Sequence, residues 1–479
     1  MITQISRTNT IKSVLVASCV ALLSACGGGD GNTWSSTGTV SSVVSGSVGD
    51  GPVTGATVEI YNASGNLVSS ETSDNTASFK FSLRLSRNNY PLILKVSDGI
   101  DLVTGGAPDF ELVSVVMKLS NTTANINPFS TLIVKMAESM PGGVSNDNIA
   151  FSKSVVMDKF SFGLDPSVID DPVTKRISSK NIAQIVKASE ALGEMIRRTR
   201  DQITASGRPV SGDDIVNAIA ADMADGFLDG MGATGSDSTI AAVANVVTGQ
   251  VLVEAMTNTL KVNGVVATVV IDQSILTTHP STKTTQMSDS VRITSGLLEQ
   301  ASFSVAAAQV VDNSSQLSNL AADINRLSAD TKASDAARVL STNSSSLLNN
   351  AISVTLNASS QDLIAINLTA NNTPVPDTGA DDPVVKSDPD AGGTDPVEDP
   401  VNVVATGSMD LSWTAPATRS DGTPLSLADI NGYRIYYGES EGSYTESVDI
   451  ADGSAQSARV TDIPVGSYHV VMTTYDTDG

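Results

Sequence analysis

The sequence holds only two histidines, two cysteines and few aromatic side chains (4%), and 17% of its 479 residues are charged. His279 and His469 stand far apart, which argues against a histidine-built metal cage. Basic residues are scarce as well: 28 Lys and Arg face 52 Asp and Glu, for a net charge of −24. Phosphate backbones need clustered Lys and Arg, so nucleic acid is not an expected partner. The charged share lies below the usual ~25%, with Ser, Thr, Asn and Gly in its place. The length corresponds to about three domains.

The N-terminus has a recognisable address. Residues 1–25 contain Arg7, Lys12 and no acid, followed by the apolar run Val14–Leu23. That run is too short to span a bilayer, which takes ~20 apolar residues. It ends in Leu23-Ser24-Ala25-Cys26, followed by Gly27-Gly28-Gly29-Asp30. A Leu, two small residues and a Cys resemble the lipoprotein signal of bacteria. The resemblance implies a signal peptide at 1–25, cleavage before Cys26, and lipid (palmitate-type acyl chains) on Cys26. Two or more acyl chains anchor a protein stably. Gly27 rather than Asp after the cysteine implies the outer membrane. Cleavage removes Cys19, so the mature chain forms no internal disulfide and each domain depends on its core. It also removes both early cations, leaving 26 basic and 52 acidic residues. Residues 26–38 read as a flexible tether.

Residues 39–120 read as β-strands. Val43–Val48, Ala56–Tyr61, Leu67–Ser70, Phe79–Leu83, Leu92–Val96 and Val113–Leu119 are short strand candidates, several alternating apolar and polar, with Gly, Asn and Asp turns between them. Gly46-Ser47-Val48, Gly51–Val58 and Ser64–Val68 resemble the carboxypeptidase regulatory-like domain, which implies a non-catalytic Ig-like or transthyretin-like β-sandwich. Asp74-Asn75-Thr76-Ala77 departs from that family's usual Asp-Gly.

Residues 125–370 read as mainly helical. Asn127 is placed to cap a helix with Pro128 in its first position. The segment Asn125–Leu132 resembles a stretch that follows Ig-like modules in bacterial surface lipoproteins. Ile182, Ile185, Leu192 and Ile196 share a helical face, with Arg197 and Arg198 expected at its end. Ser211-Gly212-Asp213-Asp214 and Ser236-Asp237-Ser238 each start a further helix. Val262–Ile271 fits either a strand or a buried helix edge. Leu317, Leu320, Ile324 and Leu327 step 3-4-3, a packing seam. A continuous helix over Ser295–Ser328 would be ~50 Å long.

Residues 371–400 hold six Pro, eight acids and one Lys, the composition of an extended acidic linker. Residues 401–479 carry six of the eight Tyr. Leu411–Pro416 around Trp413, Gly432–Gly438 and Ile463–Tyr468 resemble, in order, the B strand, the C strand and the corner before strand F of a fibronectin type III domain. That family continues into a last strand where this sequence stops, so the final strand is expected to be missing, with a fragment or an open edge as the two explanations.

No catalytic constellation emerges. Gly438-Glu439-Ser440-Glu441-Gly442 fits G-x-S-x-G, with Asp449 and His469 downstream, but a nucleophile elbow needs a helix after the Ser and here a strand is expected. His469 reads as a surface residue and His279, before Pro280, as part of a solvated loop. Asp170-Asp171 reads as a turn, and Asp213-Asp214 as a helix first turn favoured by the macrodipole. Asp388, Asp390, Asp395, Glu398 and Asp399 lack the spacing of a Ca²⁺ loop. Tyr433, Tyr436, Tyr437 and Tyr444 offer aromatic surface for a sugar or protein, or else divide between a core face and an exposed face.

The expected fold class is therefore multidomain α and β: an N-terminal sandwich, a helical middle and a C-terminal sandwich. The expected function is non-catalytic binding or adhesion at a bacterial envelope, anchored to the membrane through Cys26. A polysaccharide or a protein is the expected ligand, with no metal and no cofactor. Two alternatives stay open: an accessory part of an envelope enzyme system that positions polysaccharide, and a scaffold whose helices self-associate through the 317–327 seam. The sequence leaves open whether the protein faces outward or into the periplasm.

Overall fold

The computed structural model of the chain describes Ile2–Thr3 (β1) and residues 39–372 apart from 233–234, 263, 284–292 and 341–342. It also describes residues 406–476 apart from 414, 417–424, 427–428, 439–445, 451, 454, 456 and 465–467. These fall into two units, one of 39–372 and one of 406–476 with β1. Cys26, the tether, residues 373–400 of the acidic linker and Tyr444 lie outside the described residues, while Asn371, expected in the linker, donates to the Leu228 carbonyl at 2.8 Å.

The first unit begins with β2 (Val40–Ser47), β3 (Val53–Thr54), β4 (Thr57–Tyr61), β5 (Leu67–Thr72), β6 (Ser78–Leu85), β7 (Leu92–Ser97), β8 (Ile100–Asp101) and β9 (Leu112–Val116). Period-two alternation orients them. Along β6, Phe79, Phe81, Leu83 and Leu85 are buried, while Lys80, Ser82 and Arg84 are exposed. An antiparallel sheet runs β5-β4-β7-β9, pairing Ile60 with Leu94 and Leu94 with Ser114. A second sheet pairs β2 with β6, Val44 opposite Phe81. Val44 and Phe81 from one sheet join Val58, Ile60 and Leu94 from the other in a single core.

β9 is buried along its whole length, because its second face is covered by α1 (Pro128–Ser139). There Val113 and Val115 pack with Val134. Asn127 caps α1 by accepting the Ser130 N–H at 2.9 Å, with Pro128 as the first helical residue. Ser130 Oγ donates to the Val113 carbonyl at 2.6 Å, and the Val113 N–H donates to Thr131 Oγ1 at 2.9 Å. The cap thus also fastens the helix to the sheet edge, and the core between the strands runs on into the helices.

α2 (Asn146–Lys159), α3 (Ile182–Ala205), α4 (Gly212–Asp222) and α5 (Ser238–Met256) follow. The apolar face on α3 is as expected, but the helix does not end at Arg197 and Arg198. It continues to Ala205 and buries Arg197. Ser211 and Asp214 form a capping box on α4, and Asp237 caps α5. α5 is the one helix among the described residues long and apolar enough to cross a membrane, and its side chains are almost all buried inside this unit.

The ambiguous Val262–Ile271 run divides. Lys261–Val262 (β10) and Val265–Val266 (β11) form a small hairpin, and Ala267–Thr278 is helix α6. The long helix over 295–328 is not continuous. α7 (Ser295–Val311) stops before Asp312, and Ser314 caps α8 (Ser315–Asn325) by accepting the Leu317 N–H. Ser314 side-chain capping competes with helix continuation there. Leu317, Leu320 and Ile324 face the chain's own core. α9 (Ala333–Val339), α10 (Ser344–Thr355) and α11 (Ser360–Ala370) complete the unit.

The second unit contains β12 (Thr406–Ser412), β13 (Ile430–Gly438), β14 (Glu446–Ile450), β15 (Ser457–Pro464) and β16 (His469–Asp476). β12 pairs with β15, and a second antiparallel sheet runs β1-β16-β13-β14. Trp413, Tyr433, Ile435, Tyr437, Val460, Ile463 and Met472 form its core.

Candidate ligand cleft and buried charge cluster

One face of α3 carries no aliphatic stripe. Glu190, Gly193, Glu194 and Arg197 follow one another at helical spacing toward the loop between β2 and β3, and both glutamates and the arginine are buried. Arg197 Nη1 donates to Asp50 Oδ2 at 2.6 Å, Nη2 to Glu190 Oε2 at 3.1 Å, and Nε to Glu194 Oε2 at 3.0 Å. One guanidinium thus serves three carboxylates in its fork geometry. Arg198 takes the other oxygen of Glu194 at 2.8 Å and reaches Glu254 of α5 at 2.7 Å. Asp101 on β8 lies nearby, its carboxylate accepting from the Val103 N–H at 2.8 Å and Thr104 Oγ1 at 2.7 Å.

Glycines create the room for this cluster. A Cβ on Gly51 would collide with the carboxylates of Asp101 and Glu190, and one on Gly193 with that of Asp50. The crowding of acids has an electrostatic consequence. Burial pushes the Asp50 carboxyl up to about 7, opposed by Arg197 and assisted by Asp101. Burial likewise lifts Glu190 well above the carboxylate range, with Asp50 and Asp101 adding repulsion. Burial works against the Arg197 charge too, but Asp50, Glu190 and Glu194 outweigh it, so the guanidinium keeps its proton.

A cleft of about 370 Å³, its open mouth included, adjoins the cluster between loops of the N-terminal strands and α3. Val48, Pro52, Ile177, Ile182, Ile185 and Val186 supply its apolar lining, and Asp50, Asn127, Ser189 and His279 are among the polar residues. Three of those polar side chains hold a buried atom without a hydrogen-bond partner: Asp50 Oδ1, Ser189 Oγ and His279 Nδ1. They come from the β2–β3 loop, α3 and the end of α6. His279 is therefore not the solvated loop residue expected from the Thr/Ser-rich sequence. It caps the C-terminus of α6, its N–H donating to the Ile275 carbonyl, and it is half-buried. Burial draws its pKa down, partly offset by Asp74.

The expected site residues fare differently. Tyr433 is fully buried, packs edge-on to Trp413 at 5.0 Å and donates its hydroxyl to the Gly453 carbonyl at 3.2 Å. Tyr437 is also in the core, edge-on to Tyr468 at 5.8 Å. Tyr436 points the other way and is half-buried, so strand alternation splits the tyrosines between two faces. An exposed surface shared by Tyr433, Tyr436 and Tyr437 is thereby corrected. The G-x-S-x-G segment lies between β13 and β14, which pair antiparallel, and its residues 439–442 lie outside the described residues. Asp171 accepts from the Val173 N–H at 2.9 Å in a local turn, Asp214 accepts the Ser211 N–H at 2.8 Å in the first turn of α4, and Asp213 reaches the distant Glu111 N–H at 2.7 Å. Among the described residues no group of His, Cys, Asp and Glu is arranged to hold a metal ion.

Sequence reading missed the cleft and the cluster. The available signal was the spacing Glu190-Gly193-Glu194-Arg197, a glycine set among charges in the middle of a helix. Comparison with known proteins adds no further guide: no family model, curated protein or solved structure matches the chain.

Proposed function

We propose that this is a lipid-anchored protein of the bacterial outer membrane that binds a ligand and does not transform it. The observation that carries the anchoring is Leu23-Ser24-Ala25-Cys26 at the end of a short apolar run behind Arg7 and Lys12. Acyl chains on Cys26 would hold the protein stably at the membrane. The pairing of β12 with β15, and of β14, β13 and β16 in a second sheet, supports a fibronectin type III reading of 401–479. The two facing sheets of 39–120 support the carboxypeptidase regulatory-like reading. Both module types are binding or accessory units, and their reuse across functions leaves the ligand to be found from sites rather than folds. On this reading, cleavage before Cys26 removes β1, the strand paired with β16.

The test is metabolic labelling with a clickable fatty acid followed by protease shaving of intact cells. The wild-type protein is expected to take up label and Cys26→Ser to take up none. Release of 401–479 by cleavage in the 371–400 linker supports adhesion at the cell surface. An unlabelled wild-type protein refutes the anchoring.

A further inference from the structure

We propose that the cleft lined by Asp50, Ser189 and His279 binds a small primary ammonium ion with a short aliphatic tail. This deepens the reading of the chain as a binding protein by naming a ligand class. The starting point is a cleft whose lining residues Asp50, Ser189 and His279 each hold a buried polar atom without a partner in the protein. Leaving such atoms unsatisfied costs about 1–3 kcal/mol each, and buried polar atoms are normally paired. Three separate chain segments contribute them, so no single distorted loop accounts for the set.

Their chemistry selects the ligand. An ionised Asp50 only accepts hydrogen bonds. His279 is held neutral by burial, and its Nδ1 accepts when Nε2 carries the proton. Ser189 Oγ can accept as well. A primary ammonium group has three donors and no acceptor, which matches two acceptors and a hydroxyl. The local charge agrees. Asp50, Asp101 and Glu190 crowd behind the cleft around Arg197, and Asp109 adds a further carboxylate 3.9 Å from the guanidinium. Glu194 and Asp109 each have a second arginine, Arg198 and Arg200. Even with Glu190 protonated, ionised Asp50 and Asp101 together exceed the single charge of Arg197, so a cation is drawn in and a carboxylate or phosphate is repelled. Ile182, Ile185 and Val186 offer an apolar wall for the tail. A quaternary ammonium ion is excluded, since it has no N–H and the cleft lining contains no Phe, Tyr or Trp for a cation–π cage.

A cation beside Asp50 also favours the ionised carboxylate, so binding near neutral pH should release a proton from the group formed by Asp50, Glu190 and Asp101 around Arg197.

The experiment is calorimetric titration of the full chain at pH 7 with n-butylammonium, n-butanol, butyrate and tetramethylammonium, in two buffers of different ionisation enthalpy. Saturable binding of butylammonium is expected, with butanol at least about tenfold weaker, no binding of the other two, and a buffer-dependent heat that reports proton release. Ser189→Ala should weaken butylammonium about three- to tenfold without lowering the melting temperature, because it removes a hydroxyl that has no partner in the free protein. Asp50→Asn should abolish binding, provided its melting curve shows a folded protein. No saturable heat, equal binding of butanol, or an unchanged Ser189→Ala variant overturns the proposal and leaves a cleft filled by solvent only. These outcomes are independent of fatty-acid labelling at Cys26, so failure of one reading does not mask failure of the other.

Discussion

Helices α3 and α5 are the two longest among the described residues, and both are buried in the same unit, yet their buried side chains differ. α5 carries Val243, Val247, Val251 and Leu252 at full burial, and its polar Thr248 bonds back to the Ala244 carbonyl at 2.7 Å. α3 buries an apolar face as well, with Ile182, Ile185, Leu192 and Ile196, but a second face buries Glu190, Glu194 and Arg197, where α5 has only Glu254 as a buried ion. Aliphatic burial stabilises by about 25 cal/mol per Å² removed from water. Buried ions are desolvated at a cost that their pairing offsets only when geometry and hydrogen bonding are good, and apolar replacements of similar volume are often as stable. The two helices therefore answer to different demands: α5 holds the unit together, whereas the charges of α3 adjoin a cleft and are best explained by what the cleft does.

The largest effect that probes this contrast is removal of the shared cation. Arg197→Ala strands Asp50 and Glu190 without their partner and should destabilise by about 3–5 kcal/mol in denaturant melts. Leu252→Ala on α5 should cost about 3 kcal/mol, a transfer-plus-cavity effect that salt leaves unchanged. Next comes a dependence on pH. The Asp50 carboxyl titrates near 7 in the fold and near 3.8 when unfolded. Between these values the folded state holds an extra proton, so this group's contribution to stability is full below pH 4 and is lost as the pH rises through 7. Asp222, raised by burial to about 6, acts in the same direction, while His279, lowered by burial, acts against it. Melts from pH 4 to 7 should therefore show falling stability, with a shallower slope in Asp50→Asn. The smallest effect is Asp237→Ala, which removes the cap on α5 and should cost about 1 kcal/mol.

Elements set by local chemistry were legible in the sequence. Asn127 with Pro128, Ser211 with Asp214, and Asp237 all start helices where their side chains can accept backbone N–H groups. The strands of 39–120 follow from alternation. Features set by distant partners were not legible. Arg197 reads as a helix-end cation because charged residues usually face water; its burial depends on Asp50, 147 positions away. His279 sits among Thr, Ser and Pro, and only the fold brings it to a cleft with residues of α3. The break between α7 and α8 lay within an unbroken helical pattern and turned on Ser314 as a cap. For the tyrosines the sequence offered both a shared exposed surface and a division between two faces, and the two-residue period of β13 gives the division.

The most direct test of the contrast is a thermal melt of Asp50→Asn/Glu190→Gln/Arg197→Met, recorded with and without saturating n-butylammonium. A ligand that binds only the folded state raises its melting temperature. The account predicts a folded variant, stable to within about 1 kcal/mol of the parent, whose melting temperature no longer responds to butylammonium while the parent's rises. A variant that melts far below the parent, or one that still responds to the amine, would contradict it.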